Sequence, residues 1–301
     1  MKLYFFKDPG GNFGDDLNPW LFGKLFPELL DENSNDLLIG IGTLLNHRIP
    51  TAAKVSVFGS GHGYGRLPAI TPDWSFYCVR GPGTAKALGL DPALAITDPA
   101  MLTPLYEKRQ PEKKFKVSYM PHCDSARMGD WQKVCTLAGI NLIDPQQDFL
   151  DVFLQIKQSE HLITEAMHGA ILADAFRVPW TPAKAYPHIS EFKWQDWLDS
   201  VQVAASFQPL LPVFRGDSQY SIKDAFKHKS KRVLKTLSVW SDSWQDPPPA
   251  QSSYRQIEAS AAALVAVASN CKGHLSSDKL LADNTERLLA KAELLRQHHA
   301  R

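Results

Sequence analysis

His161-Leu162-Ile163-Thr164-Glu165-Ala166-Met167-His168-Gly169-Ala170-Ile171-Leu172-Ala173-Asp174-Ala175-Phe176-Arg177-Val178-Pro179-Trp180 carries two apolar runs around a helical pattern. It begins with a short apolar run of β type, continues as a helical pattern over Ala170–Phe176, and ends in a second apolar run at Val178–Trp180. Strands alternating with helices in this way build βαβ units and parallel sheets. The same rhythm extends upstream. Candidate strands are Leu3–Phe6, Leu37–Ile41, Val55–Phe58, Ser75–Val79, Leu94–Ile96, Lys116–Met120 and Asn141–Ile143. Helical patterns cover Trp20–Leu30, Pro82–Leu88, Met128–Ala138, Phe149–Gln158 and Trp194–Ser200.

A charged, proline-bearing break at Glu107–Lys114 separates two such sets. The expected fold class is therefore α/β, with two Rossmann-like domains (residues 1–110 and 111–200) facing across a cleft. Residues 201–301 differ, and read as a helical extension. There Ile222, Phe226, Val233, Leu237 and Trp240 recur at helical spacing. Lys223, Lys227, Lys229, Lys231, Arg232 and Lys235 crowd the other faces.

The 301 residues are 44% hydrophobic and 22% charged, enough to bury a sizeable core. A net charge of +1 gives no global basic field, so a nucleic-acid partner is not expected. The charge is uneven: residues 215–301 carry 14 Lys/Arg against 9 Asp/Glu. Glycine is uneven too, with 13 of 18 before residue 90. Cys78, Cys123, Cys135 and Cys271 show no C-x-x-C spacing and read as reduced thiols, which suits the cytoplasm. The apolar run at the N-terminus is too short for a signal peptide, and none is long enough to span a membrane.

Ligands of open α/β sheets bind beyond the carboxyl ends of the strands. After the first candidate strand comes Gly10-Gly11-Asn12-Phe13-Gly14-Asp15-Asp16, a turn-rich loop, with Pro19 suited to the first helical position. After Val55–Phe58 comes Gly59-Ser60-Gly61-His62-Gly63-Tyr64-Gly65, whose glycines let backbone N–H groups approach an anion or a sugar. It matches neither a P-loop nor a dinucleotide fingerprint. Arg80 follows a strand and precedes Gly81-Pro82-Gly83-Thr84 at a helix start, which suits a carboxylate or phosphate; the alternative is a structural ion pair. His122 and His168 hold equivalent places after two later strands, where a histidine is a tunable acid or base. His122, Cys123 and Asp124 are consecutive and converge poorly on one ion, so no metal site is expected.

Six stretches carry a resemblance. They are Asn12–Asn18, Gly40–Leu45, Phe58–Gly61, Val79–Thr84, Thr97–Ala100 and Glu165–Ile171. Together, across roughly residues 3–200, they resemble the polysaccharide pyruvyl transferases, in particular the bacterial exopolysaccharide ketal-pyruvate transferases. The resemblance implies two Rossmann-like domains in a GT-B-like arrangement. It also implies a transferase of EC class 2.5.1 that attaches pyruvate from phosphoenolpyruvate to two sugar hydroxyls as a cyclic ketal and releases phosphate. Phosphoenolpyruvate is then a substrate, and no cofactor is expected.

The implied acceptor is a glycan, typically a lipid-linked repeat unit at the inner face of the cytoplasmic membrane. By the same resemblance Arg80 holds the donor and His168 is the general acid. Many members have an arginine two residues before that histidine. Here the position is Ala166, so His122 or Lys193 is expected to supply the missing charge. Gly59, Ser60 and Gly61 complete the expected donor site. Glu165, Asp15 or Asp16 accepts protons from the sugar, and Asn12 and His62 face the acceptor. The basic stripe offers a contact for anionic lipid, or packs onto the N-terminal domain through Phe226 and Trp240. Two rival readings share the architecture: a glycosyltransferase using a nucleotide-sugar, and a non-catalytic sugar- or anion-binding relative.

Overall fold

Short strands form two parallel sheets, in a computed structural model that describes residues 1–219, 221–236 and 247–299. In the first sheet β1 (Lys2–Tyr4), β2 (Asp36–Ile39), β3 (Lys54–Phe58) and β4 (Trp74–Cys78) pair in that order. The second contains β5 (Ser118–Met120), β6 (Asn141–Leu142), β7 (Leu162–Thr164), β8 (Trp180–Lys184) and β9 (Gln208–Pro209), in the order β6-β5-β7-β8-β9. All these strands run parallel, but β6 is added on one side of β5 and β7 on the other, so the strand order reverses there. Beyond the carboxyl ends of β5 and β7 the loops diverge and leave a crevice.

The helices are α1 (Phe13–Leu25), α2 (Pro82–Leu88), α3 (Cys123–Met128), α4 (Trp131–Ala138), α5 (Phe149–Gln158), α6 (Met167–Ala175) and α7 (Glu191–Ser200). After them come α8 (Ile222–Thr236), α9 (Tyr254–Asn270) and α10 (Asp278–His299). A single apolar cluster joins α1, through Phe13, Leu17 and Leu21, to Phe153 of α5, Ala170 of α6, Trp197 of α7 and Leu288 of α10. Helix α7 also packs on α2, and α6 on the 3-10 segment Pro99–Leu105. Helix α9 covers α4, burying Leu264 with Trp131 and Val134. Helix α10 returns to β4, where Tyr77 Oη and His298 Nδ1 lie 3.1 Å apart.

Several expected elements differ. Leu94–Ile96 is not a strand. Pro92 opens a 3-10 turn there, and only an isolated bridge between Val79 and Ala95 remains. The helix expected at Met128–Ala138 starts only at Trp131, as α4; Met128 ends α3, and the break falls at Gly129, where a Cβ would stand 2.5 Å from Trp131 Nε1 and 2.7 Å from Tyr186 Oη. The first helix starts at Phe13 rather than Trp20, so Pro19 lies inside it. Proline there has no N–H for the carbonyl of Asp15. Asn18 Nδ2 supplies the missing donor at 3.0 Å, and also donates to Ile41 O at 3.1 Å. Leu237 and Trp240 of the basic stripe lie outside the described residues. The alternative in which the stripe packs through Phe226 does not fit, because that ring is 73% exposed.

Candidate active site

A cleft of about 540 Å³ opens where loops from both sheets meet. The loop after β1 contributes Asp8 and Asn12, and the first turn of α1 Asp15; the loop after β2 contributes Gly42, Thr43 and Arg48. From the second sheet come His122, Asp124 and Arg127 beyond β5, and Glu165 to His168 beyond β7. Tyr64 and Lys193 close one side. The crevice between β5 and β7 thus faces the first turn of α1.

That turn is built locally. Asn12 caps α1, its Oδ1 accepting from Gly14 N–H at 3.2 Å, while its Nδ2 donates to Asp15 Oδ2 at 2.5 Å. Gly14 lets the imidazole of His168 come close, since a Cβ there would stand 2.1 Å from His168 Nδ1. Asp15 is nearly sealed from solvent. Burial lifts its carboxyl to about 6, against the pull of His168 and Lys193. Asp16 accepts from Asn12 N–H at 3.4 Å and does not line the cleft.

His168 sits in the first turn of α6, because that helix starts three residues earlier than its Ala170 pattern suggests. Its Nε2 is buried 3.6 Å from Oδ2 of Asp98, an ion-pair distance rather than a hydrogen bond. Glu165 is fully buried. Its Oε1 accepts from Ala185 N–H at 2.7 Å and its Oε2 from His122 N–H at 3.3 Å. Burial raises this carboxyl above the usual carboxylate range. Glu165 therefore braces the ends of β5 and β8 as well as lining the cleft.

His122 caps α3, its Nδ1 accepting from Asp124 N–H at 3.2 Å. Burial, with Lys193 nearby, pushes its imidazole down to about 4. That shift, and the hydrogen bond accepted at Nδ1, both disfavour the charged ring that the expectation of positive charge requires. Lys193, in the first turn of α7, does carry that charge into the cleft. Its Nζ donates to Tyr64 Oη at 2.9 Å and lies 4.7 Å from the centre of the Tyr64 ring. Arg127, which sequence reasoning missed, ties the halves together by donating to Asp8 Oδ2 at 2.6 Å, Gly11 O at 3.1 Å and Asp124 Oδ1 at 3.0 Å. Arg48 adds an exposed guanidinium, and no spacing in the sequence marked it.

Arg80 is placed otherwise than expected. It is 0% exposed and does not line the cleft. Its guanidinium is occupied by Asp196 (Nε to Oδ2 3.0 Å), Thr43 Oγ1 (3.0 Å) and His62 O (2.8 Å). This is the geometry of the alternative, a structural ion pair. Gly59, Ser60 and Gly61 are buried behind the same wall. Ser60 Oγ donates to Gly42 O, and a Cβ at Gly61 would strike the Arg80 guanidinium at 2.2 Å. The glycines make room for protein groups, and the backbone that borders the cleft is Gly42-Thr43-Leu44 instead. His62 also stands outside the lining, its Nδ1 2.8 Å from Leu45 O.

Among the described residues, His122, Asp124 and His188 bring one candidate metal-ligand atom each within 4.8 Å of one another. His188 Nε2, however, is paired with Ser125 Oγ at 3.1 Å, and Arg127 holds Asp124. A cation would have to displace these bonds and sit beside Arg127.

A family profile described as polysaccharide pyruvyl transferase matches residues 67–183. The succinoglycan biosynthesis protein ExoV of Rhizobium meliloti (strain 1021) is 40% identical over 265 residues, covering 86% of this chain and 79% of that protein. No solved structure matches the chain.

Proposed function

The chain belongs to the polysaccharide pyruvyl transferases, and from that premise we propose that it transfers pyruvate from phosphoenolpyruvate to two hydroxyls of a sugar, forming a cyclic ketal and releasing phosphate. One observation carries the reading: His168 and Asp15, from opposite halves of the chain, meet in a cleft that also holds Lys193, Arg48 and Arg127. A donor with a carboxylate and a phosphate needs several cations, and its methylene carbon needs a proton source close by. His168 gives a proton to that carbon, making C2 electrophilic. One sugar hydroxyl adds to C2 and loses its proton to Asp15, whose raised affinity for protons suits a base near neutral pH. The second hydroxyl then displaces phosphate from C2 and closes the ring.

Lys193 and Arg48 hold the donor's anionic groups, and Asn12 orients a hydroxyl beside Asp15. The two sheets and their cleft support a GT-B-like description. The relative's role in succinoglycan biosynthesis supports an exopolysaccharide acceptor. Among the described residues no helix is long and apolar enough to cross a membrane. A lipid-linked acceptor would be met at the membrane surface, where α8 offers Lys223, Lys227 and Lys229 beside the exposed Phe226 and Val233. The test is phosphate release from phosphoenolpyruvate across a panel of β-glucosides, galactosides and mannosides. Pyruvate retained on one sugar with equimolar phosphate is expected. Turnover of a nucleotide-sugar on the same panel, with none of phosphoenolpyruvate, would overturn the reading.

A further inference from the structure

We propose that Asp98 is a positioning residue for His168, its buried Oδ2 holding the imidazole so that Nδ1 is the nitrogen that exchanges a proton in the cleft. The inference rests on the reading of His168 as proton donor. Among the described residues, Nε2 of His168 and Oδ2 of Asp98 are each sealed from solvent and have no other hydrogen-bond partner, and they face each other at 3.6 Å. Two buried polar atoms so placed complete each other when a small rotation of the ring closes the gap. The other carboxylate oxygen of Asp98 is fixed, accepting from Ala100 N–H at 2.9 Å at the start of the Pro99–Leu105 segment. That segment packs directly on α6. Gly14 backs the ring at Nδ1, so the imidazole has little room to slide.

The consequence is a division of labour between the ring nitrogens. The proton on Nε2 stays turned toward Asp98, while the Nδ1 proton passes to the methylene carbon of the donor. The imidazole is then neutral, and it is recharged with one of the two protons that the sugar hydroxyls give up. The carboxylate of Asp98 keeps its place beside Nε2 throughout, as the orienting partner of a histidine does. The other charges around this pair are Asp15 on α1, Lys193 on α7, and Arg287 and Lys291 of α10, which share the surroundings of Cys78 with Asp98.

The variant Asp98→Asn separates the two roles of this residue, because asparagine still caps the segment. Its phosphate release from phosphoenolpyruvate is expected to fall about 10- to 100-fold in kcat, the range seen for orienting partners of histidine. KM for the donor should stay within about twofold. The alkaline limb of the kcat–pH profile should move to lower pH, because the ring has lost the carboxylate that favours its charged form. In a His168→Gln background the same change should cost nothing further. Asp98→Ser, a second capping residue, repeats the test if the asparagine variant does not fold. Wild-type kcat and pH profile in Asp98→Asn, with His168→Gln inactive, would overturn the role of Asp98 and leave the proton donor standing. A kcat loss with an unmoved limb, fully additive with His168→Gln, would also overturn it. Wild-type kcat in His168→Gln would instead remove the proton donor itself.

Discussion

Gly14 and Asp15 show how closely the two halves of the site press on each other. A methyl group at Gly14 would lie 2.1 Å from His168 Nδ1. Gly14→Ala should therefore lower kcat by at least tenfold and cost about 1–3 kcal/mol of stability, as overpacking does, in paired activity and urea-unfolding measurements. Asp15 makes a separate pH prediction. Its folded-state affinity for a proton is raised, to about 6, by burial. Such a group contributes stability that is complete below about pH 4 and is lost as pH rises through 6. Asp15→Asn should accordingly gain on the wild type between pH 4 and pH 7.5, by at most about 3 kcal/mol. An equal difference at both pH values would show that the carboxyl is unperturbed. Asn12, Asp15 and His168 were legible because each follows closely on an apolar run, where a strand gives way to a helix start. Asp98 also lies in a quoted motif, but nothing in Thr97-Asp98-Pro99-Ala100 says that its carboxylate points at a histidine 70 residues away.

At the scale of elements, α1 depends on a substitution of one donor for another. Asn18 gives the carbonyl of Asp15 the hydrogen bond that Pro19 cannot, and bonds Ile41 O beyond β2 as well. Asn18→Ala would leave two carbonyls without that donor in a buried place, and should cost about 2–4 kcal/mol in chemical denaturation. A loss under 0.5 kcal/mol would mean that water replaces the side chain. Pro19 looks like a helix start because proline usually marks one, whereas the true start is the capping Asn12 seven residues earlier. The basic helix α8 exposes Phe226 and Val233 among lysines. Each Lys near an anionic surface is worth about 1 kcal/mol, so Lys223→Glu/Lys227→Glu should abolish co-sedimentation with phosphatidylserine vesicles and leave neutral vesicles unaffected. Equal sedimentation of both proteins with both vesicle types would exclude the membrane contact.

Across the whole molecule, the Arg80–Asp196 pair links a loop of the first sheet to α7, with both side chains out of solvent. Asp196 also accepts from Thr84 N–H at 2.8 Å and from Thr84 Oγ1 at 2.6 Å. Removing one partner leaves a buried charge without compensation. Asp196→Ala should therefore cost about 3–5 kcal/mol by urea unfolding, and Arg80→Ala about as much, rather than merely weakening donor binding. A melting temperature unchanged in both would return Arg80 to the list of candidate ligands. Alternating strands and helices, hence parallel sheets, and the loops at strand ends can be read from the amino-acid order alone, because hydrophobic period and turn chemistry act over about ten residues. Which polar groups face the cleft, and which face each other, is set only when the chain has folded. Arg80 and Asp196 are 116 positions apart, and Lys193 reaches Tyr64 across 129. Pairings at that separation are set by how the sheets pack, and local pattern holds no record of it.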